Sequence, residues 1–182
     1  MTTDERPPAG SELWKKTAFA LDGGDFSALD VILSDAQVSI IDLLDANGRP
    51  PKYMAEALTW ASFIGLTDVV RELLDRGVDP AAGFETGMAA AHWAANRGNL
   101  DVVRLLIERG APLEQKNMYD GTVLGATLWS VIHETRDSHP EIVEELVRAG
   151  AKYDREWVDW WSRQEVPSDL KEKVAEILAS GL

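Results

Sequence analysis

With no cysteine among its 182 residues, the chain offers no thiolate nucleophile, no thiolate metal site and no disulfide, which fits a reducing compartment. Acid–base or metal chemistry would fall to three histidines and the carboxylates near them. His133, Glu134, Asp137 and His139 crowd into one short stretch, and His133 and Asp137 would share a face if a helix ran through them. Such a group could hold a metal ion or move a proton. Its spacing matches no familiar chelating class, and loops gather polar residues without any function, so a solvated loop is the plainer reading. Glu85 and Asp120 are further carboxylates that could serve as acid–base partners. There is no phosphate-cradling glycine loop and no G-x-S-x-G elbow. Gly23-Gly24 reads as a turn. No cofactor and no metal are expected.

Charge narrows the partners. Lys and Arg total 18 against 31 Asp and Glu, a formal net charge of −13, which repels nucleic-acid phosphates and anionic membrane surfaces. Between Asp22 and Asp45 lie six Asp and no Lys or Arg. This acidity either keeps the surface solvated or complements a basic partner. The opening MTTDERPPAGSEL lacks the apolar core of a secretory signal. Gly, Pro or a charge interrupts every apolar run before about 18 residues, so a soluble, cytoplasmic protein without a membrane span is expected.

The elements that would position any site come from a repeat. TWASFIGLTDVVRELLDRG at 59–77 superimposes on HWAANRGNLDVVRLLIERG at 92–110 with a shift of 33, placing Trp60 on Trp93, Gly65 on Gly98 and Gly77 on Gly110. A third copy, Glu141 to Ala151, matches Asp101 to Ala111 at a shift of 40, with the 7 extra residues falling within 128–139. A degenerate copy begins at Gly24-Asp25-Phe26. In each second half the apolar residues recur as at Val69, Val70, Leu73 and Leu74, one face of a helix, with Arg71, Glu72, Asp75 and Arg76 opposite. Asp68 sits beside the helix start, and Gly77, Gly110 and Gly150 stand where a left-handed cap would end it. The first halves, 55–64 and 89–97, are shorter and Ala-rich. VDPAAGFETG and APLEQKNMYDG read as turns between copies. One helix pair of this size cannot bury its apolar face alone, so neighbours must stack.

This grammar resembles the ankyrin repeat of about 33 residues. The resemblance rests on AAAHWAA at 89–95, GNLDVVRLLIERGA at 98–111, TVLGA at 122–126 and HPEIVEELVRAGA at 139–151. No copy keeps the family's Thr-Pro pair, and its histidine survives only as His92, with Thr59 and Gly125 in the equivalent places. The resemblance implies an all-α solenoid of helix pairs with short hairpin-like loops. A flexible N-terminus at 1–10 would precede one solenoid at 11–182: an N-cap at 11–45, a linker through Asn47-Gly48-Arg49-Pro50-Pro51, repeats at about 54–82, 83–115 and 116–155, and a C-cap at 156–182 with helices Glu156 to Arg163 and Ser168 to Ala179. It also makes His92 a framework residue bonded to the turn region, and places His139 just after a mid-repeat glycine position.

The seven Trp sort by register. Phe19, Trp60 and Trp93 share one position of successive first helices and are expected to stack along the array, as core packing or as a semi-buried groove wall. Trp14, Trp157, Trp160 and Trp161 are expected to form cap core. Trp129 falls instead on the site of Phe63 and Asn96, which the resemblance turns toward the concave groove, with Ile64, Arg97 and Ser130 beside it. Exposed aromatics there would make an apolar patch of the kind that marks a binding face, unless the inserted loop covers them. Together with hairpin tips at Thr86, Met88, Tyr119 and Asp120, these residues are the expected partner-binding surface. The expected function is therefore a non-enzymatic protein-binding module, one version being an acidic inhibitor or immunity-type protein that covers a basic enzyme. The alternative is a small enzyme or ligand-binding protein that uses the groove as a pocket, with Glu85 or Asp120 and a histidine of the insertion as acid–base groups.

Overall fold

The computed structural model describes residues 52–81, 83 and 87–181. The expected N-terminal segment, N-cap and linker lie outside the described residues, as do Trp14, Phe19, the six-Asp stretch, Glu85 and Thr86. Eight α-helices run through the described chain: α1 (Lys52–Ile64), α2 (Thr67–Asp75), α3 (Ala90–Asn96), α4 (Leu100–Glu108), α5 (Val123–His133), α6 (His139–Arg148), α7 (Arg155–Ser162) and α8 (Ser168–Ser180). The only strand-like pairing among these residues is one antiparallel bridge, Gly83 to Ala89. The first helices α1, α3 and α5 stack in one row, and the second helices α2, α4, α6 and α8 in another.

The apolar stripes meet between the rows. Leu58, Leu73, Leu106, Leu124, Leu128, Ile142 and Leu146 are fully buried, which removes apolar surface from water along the whole array. Alanine packs the first-helix row, with Ala57, Ala61, Ala90, Ala94 and Ala95 buried, so the helices approach closely.

The second helices α2, α4 and α6 end in the same turn. Val78, Ala111 and Ala151 donate their N–H groups to Leu73, Leu106 and Leu146 carbonyls at 3.1, 2.9 and 3.0 Å, while the preceding glycines donate to Leu74, Ile107 and Val147. This is a Schellman closure, and Gly110 meets it at φ +75°. The helix starts are less elaborate than expected. Asp68 and Asp101 lie in the first turns of α2 and α4 without making a side-chain cap bond, so they act on the helix dipole.

The C-terminal helices correct one expectation. Trp161 is fully buried, and its indole Nε1 donates to Lys171 O at 3.1 Å. Trp157 is half-buried, and a Cβ on Gly125 would lie 2.8 Å from its ring, so the glycine in the place of His92 makes room for the tryptophan. Trp160 is 37% exposed and is not core. In α7 the buried stripe is narrow, and Trp160 sits at its edge.

Candidate functional site

The two buried histidines are held by backbone. In His92 the Nδ1 accepts from Ala89 N at 3.3 Å and Nε2 donates to Gly121 O in the next repeat at 3.2 Å. In His139 the Nδ1 accepts from Arg136 N at 3.1 Å and Nε2 donates to Asn96 O in the previous repeat at 3.1 Å. Both rings are therefore neutral with the proton on Nε2. Burial pushes both pKa values below the ordinary 6.5, against the opposing pull of the backbone carbonyls. His139 repeats the work of Asn99, whose Nδ2 donates to Ser62 O at 2.8 Å and Phe63 O at 2.9 Å, one repeat earlier.

The insertion is part helix and part loop. α5 runs one turn longer than α3, and residues 134–138 then fold back onto the preceding repeat. Ser138 Oγ donates to Gly98 O at 2.6 Å. Gly98 has φ +76°, and a Cβ there would lie 2.8 Å from Ser138 Oγ and 2.9 Å from Arg136 Cβ, so only glycine leaves room for the loop. The cluster His133, Glu134, Asp137 and His139 does not assemble: His139 is buried and bonded, while the other three are exposed. Among the described residues no three His, Asp or Glu converge as metal ligands. The acid–base alternative loses His139 in the same way.

Because the loop turns toward Gly98, it leaves Trp129 open. Trp129 is 52% exposed, and among the described residues its one aromatic neighbour is the His133 ring, 4.4 Å away. Beside it opens a groove of about 760 Å3. One side is made by the first helices, with Trp93, Asn96, Ala126, Trp129 and Glu134. The other comes from the hairpins, with Met88, Asn117, Met118, Tyr119 and Gly121. Asn117 shapes that tip: its Oδ1 accepts from Tyr119 N at 2.9 Å and Gly121 N at 3.0 Å, while Asp120 takes φ +64°. The turn pushes Met118 and Tyr119 outward, 61% and 78% exposed. Asp120 pairs with Lys116 Nζ at 2.8 Å, outside the groove lining.

Residues 19–120 and 58–157 match the family model for ankyrin repeats (three copies). The chain belongs to the ankyrin-repeat family. The first match begins early enough to take in the degenerate copy at Gly24. The comparison with curated proteins found no match. Ankyrin repeats generally serve as protein–protein interaction modules, and this array has no helix, among the described residues, long and apolar enough to cross a membrane.

Of the surface expected from the ankyrin register and the hairpin tips, Met88, Asn96, Tyr119 and Trp129 come together in the groove. Phe63 and Ile64 do not line it. The Phe63 ring packs edge-on against Trp60 at 5.3 Å and Trp93 at 5.1 Å, with the Arg97 guanidinium 4.7 Å above it, so this residue is wall structure and not a free anchor. Ile64 is half-buried against the core. Ser130 is fully buried, accepting from Asn96 Nδ2 at 2.6 Å and donating to Ala126 O at 2.9 Å; it faces the neighbouring helix, not solvent. Trp93, for which register allowed core packing or a semi-buried groove wall, is half-buried and lines the groove. Met118, Asn117 and Glu134 were not singled out for the groove. Their signal was adjacency, to Tyr119 at the tip and to the lengthened end of α5.

Proposed function

We propose that this ankyrin array holds a partner protein in the groove between its first helices and hairpin tips, with Trp129, Trp93 and Tyr119 as anchors and Met88, Asn96 and Arg97 around them. The observation that carries the reading is the exposure of Trp129, Met118 and Tyr119 around one concave space. Soluble chains rarely leave such a group uncovered without use, and large aromatics concentrate binding energy. The net charge of −13 favours a basic partner, and an inhibitor or immunity-type protein covering a basic enzyme is the version that fits both features.

The test places a photocrosslinking amino acid at Tyr119 in the groove, or at Arg71 on the exposed face of α2, in the source cell. One partner trapped from position 119 and not from 71, and released by Trp129→Ala, supports the reading. Equal trapping from both positions, or capture unaffected by Trp129→Ala, refutes it. With the purified partner, association slowing as salt rises would assign the acidity to binding, because exposed charges are screened beyond about 8 Å at physiological ionic strength. Salt-independent kinetics would leave it as a solubility feature.

A further inference from the structure

The inserted loop is fastened by a ring that the preceding repeat does without. At a shift of 40, His139 stands in the place of Asn99. Both reach back to carbonyls of the preceding first helix, Asn99 through Nδ2 to Ser62 O and Phe63 O, and His139 through Nε2 to Asn96 O. The imidazole adds a second ring nitrogen, and the insertion uses it: Nδ1 accepts from Arg136 N at 3.1 Å. That bond needs a lone pair on Nδ1. A proton there turns the acceptor into a donor facing another donor, while Nε2 keeps its own proton and its bond to Asn96 O. Protonation therefore acts on the loop and spares the contact between α6 and the preceding repeat.

The fastened segment borders the groove. Glu134, at the start of the loop, and Asn96, at the other end of the ring's bonds, both line it. We propose that His139 is a proton-operated catch for the groove: neutral, it holds residues 134–137 against the preceding repeat; protonated at Nδ1, it frees them, loosens the α5 end of the groove and weakens docking. This rests on the protein-docking reading above and adds its regulation. Ser138 Oγ to Gly98 O and His139 N to Arg136 O involve no ring atom, so they keep the α6 side of the loop in place. Within the loop Arg136 opposes the added proton and Glu134 favours it, with Arg97 of the preceding repeat 3.8 Å from that carboxylate. Asp137 and, at the end of α5, His133 are exposed, as are Glu141 of α6 and the first-turn Asp101 of α4 and Asp169 of α8. Burial holds the ring neutral to a lower pH than the ordinary 6.5, so the catch is closed at neutral pH and opens in acid.

The test measures amide 15N relaxation on the full-length chain between about pH 7.5 and about pH 4.5. Order parameters of residues 134–137 are expected to fall from about 0.85 to below about 0.6, with a midpoint under the ordinary 6.5. The Trp129 indole signal should move with them, while Val103 in α4 and Val143 in α6 stay rigid. His133→Gln removes the other imidazole near the loop and should leave this response intact. His139→Gln offers an acceptor and a donor but does not titrate, so the loop should stay ordered throughout. His139→Asn copies the preceding repeat: the donor remains, the acceptor for Arg136 N is lost, and the loop should be mobile already at about pH 7.5. A wild-type loop that stays ordered in acid, a response that persists in His139→Gln, an ordered loop in His139→Asn, or loss of order in α4 and α6 together with the loop overturns the catch. A loop that moves beside an unmoved Trp129 signal has no hold on the groove and overturns the proposal as well. A partner that crosslinks equally to both faces removes the docking reading itself, whatever the loop does in acid.

Discussion

At the scale of single residues, the groove separates stability from recognition. Trp129 is half in solvent, with its ring against His133, so Trp129→Ala should change stability by no more than about 0.5 kcal/mol, the usual range for surface substitutions, while weakening partner binding by roughly 2 kcal/mol or more. Phe63→Ala should behave differently from its register-mate, because its ring is clamped by Trp60, Trp93 and Arg97; a loss approaching about 3 kcal/mol is expected. Trp93→Ala should damage both properties. Urea melts and binding titrations on the three variants check this, and a Trp129→Ala protein as unstable as Trp93→Ala would show that the exposed ring is core after all. The buried histidines supply a pH signature. Both have folded-state pKa values below the ordinary 6.5, so as pH falls the unfolded chain takes up protons first. The stability linked to them is complete above that value and is lost as pH falls below it, down to the folded pKa, with a slope of at most about 1.4 kcal/mol per pH unit per histidine. Unfolding free energies at about pH 7.5 and about pH 5.5 should differ more in the wild type than in His92→Gln or His139→Gln. Equal differences would mean that these rings do not carry the linkage.

At the scale of elements, two glycines with the same backbone sign should not cost the same. Gly98 has φ +76° and is covered by Arg136 and Ser138 from the inserted loop, whereas Gly110 has φ +75° and nothing within 4 Å of a would-be Cβ. Gly110→Ala should cost about 1 kcal/mol for the left-handed backbone alone. Gly98→Ala adds displacement of the loop and should cost about 2 to 3 kcal/mol. Because Ser138 also bonds Gly98 O, the Gly98 variant should raise hydrogen exchange at residues 134–138, and the Gly110 variant should not. The helix periods and the glycine stops were readable without coordinates, since 3.6-residue spacing and a residue that tolerates positive φ are local properties. The direction taken by the insertion was not. It depends on Ser138 and His139 reaching carbonyls some 40 residues away in sequence.

At the scale of the whole molecule, stability is a sum over neighbours. Leu106 is fully buried between the rows, so Leu106→Ala should cost roughly 2 to 5 kcal/mol, read as a lower urea midpoint. A loss below about 1 kcal/mol would mean that the interface around α4 is looser than its burial implies. Because repeats contact mainly their neighbours, the loss should fall on α3 to α6 more than on α7 and α8.

The shift of 33 between Trp60 and Trp93, the amphipathic stripe of Val69 to Leu74 and the glycines at 77, 110 and 150 were enough to determine a stacked helical array, because each is set by contacts within one repeat that recur in the next. The same register pointed to Asn96 and Trp129, and the turns between copies to Met88 and Tyr119; all four line the groove. Register alone could not rank residues that share a position. Phe63, Asn96 and Trp129 occupy equivalent sites, yet one is packed, one is bonded to a buried serine and one is open. That difference depends on what the adjacent repeat presents: Trp93 and Arg97 over Phe63, Ser130 beside Asn96, and a loop that turns away from Trp129. Exposure is a property of neighbours across the stack, and only the tertiary structure brings those neighbours together.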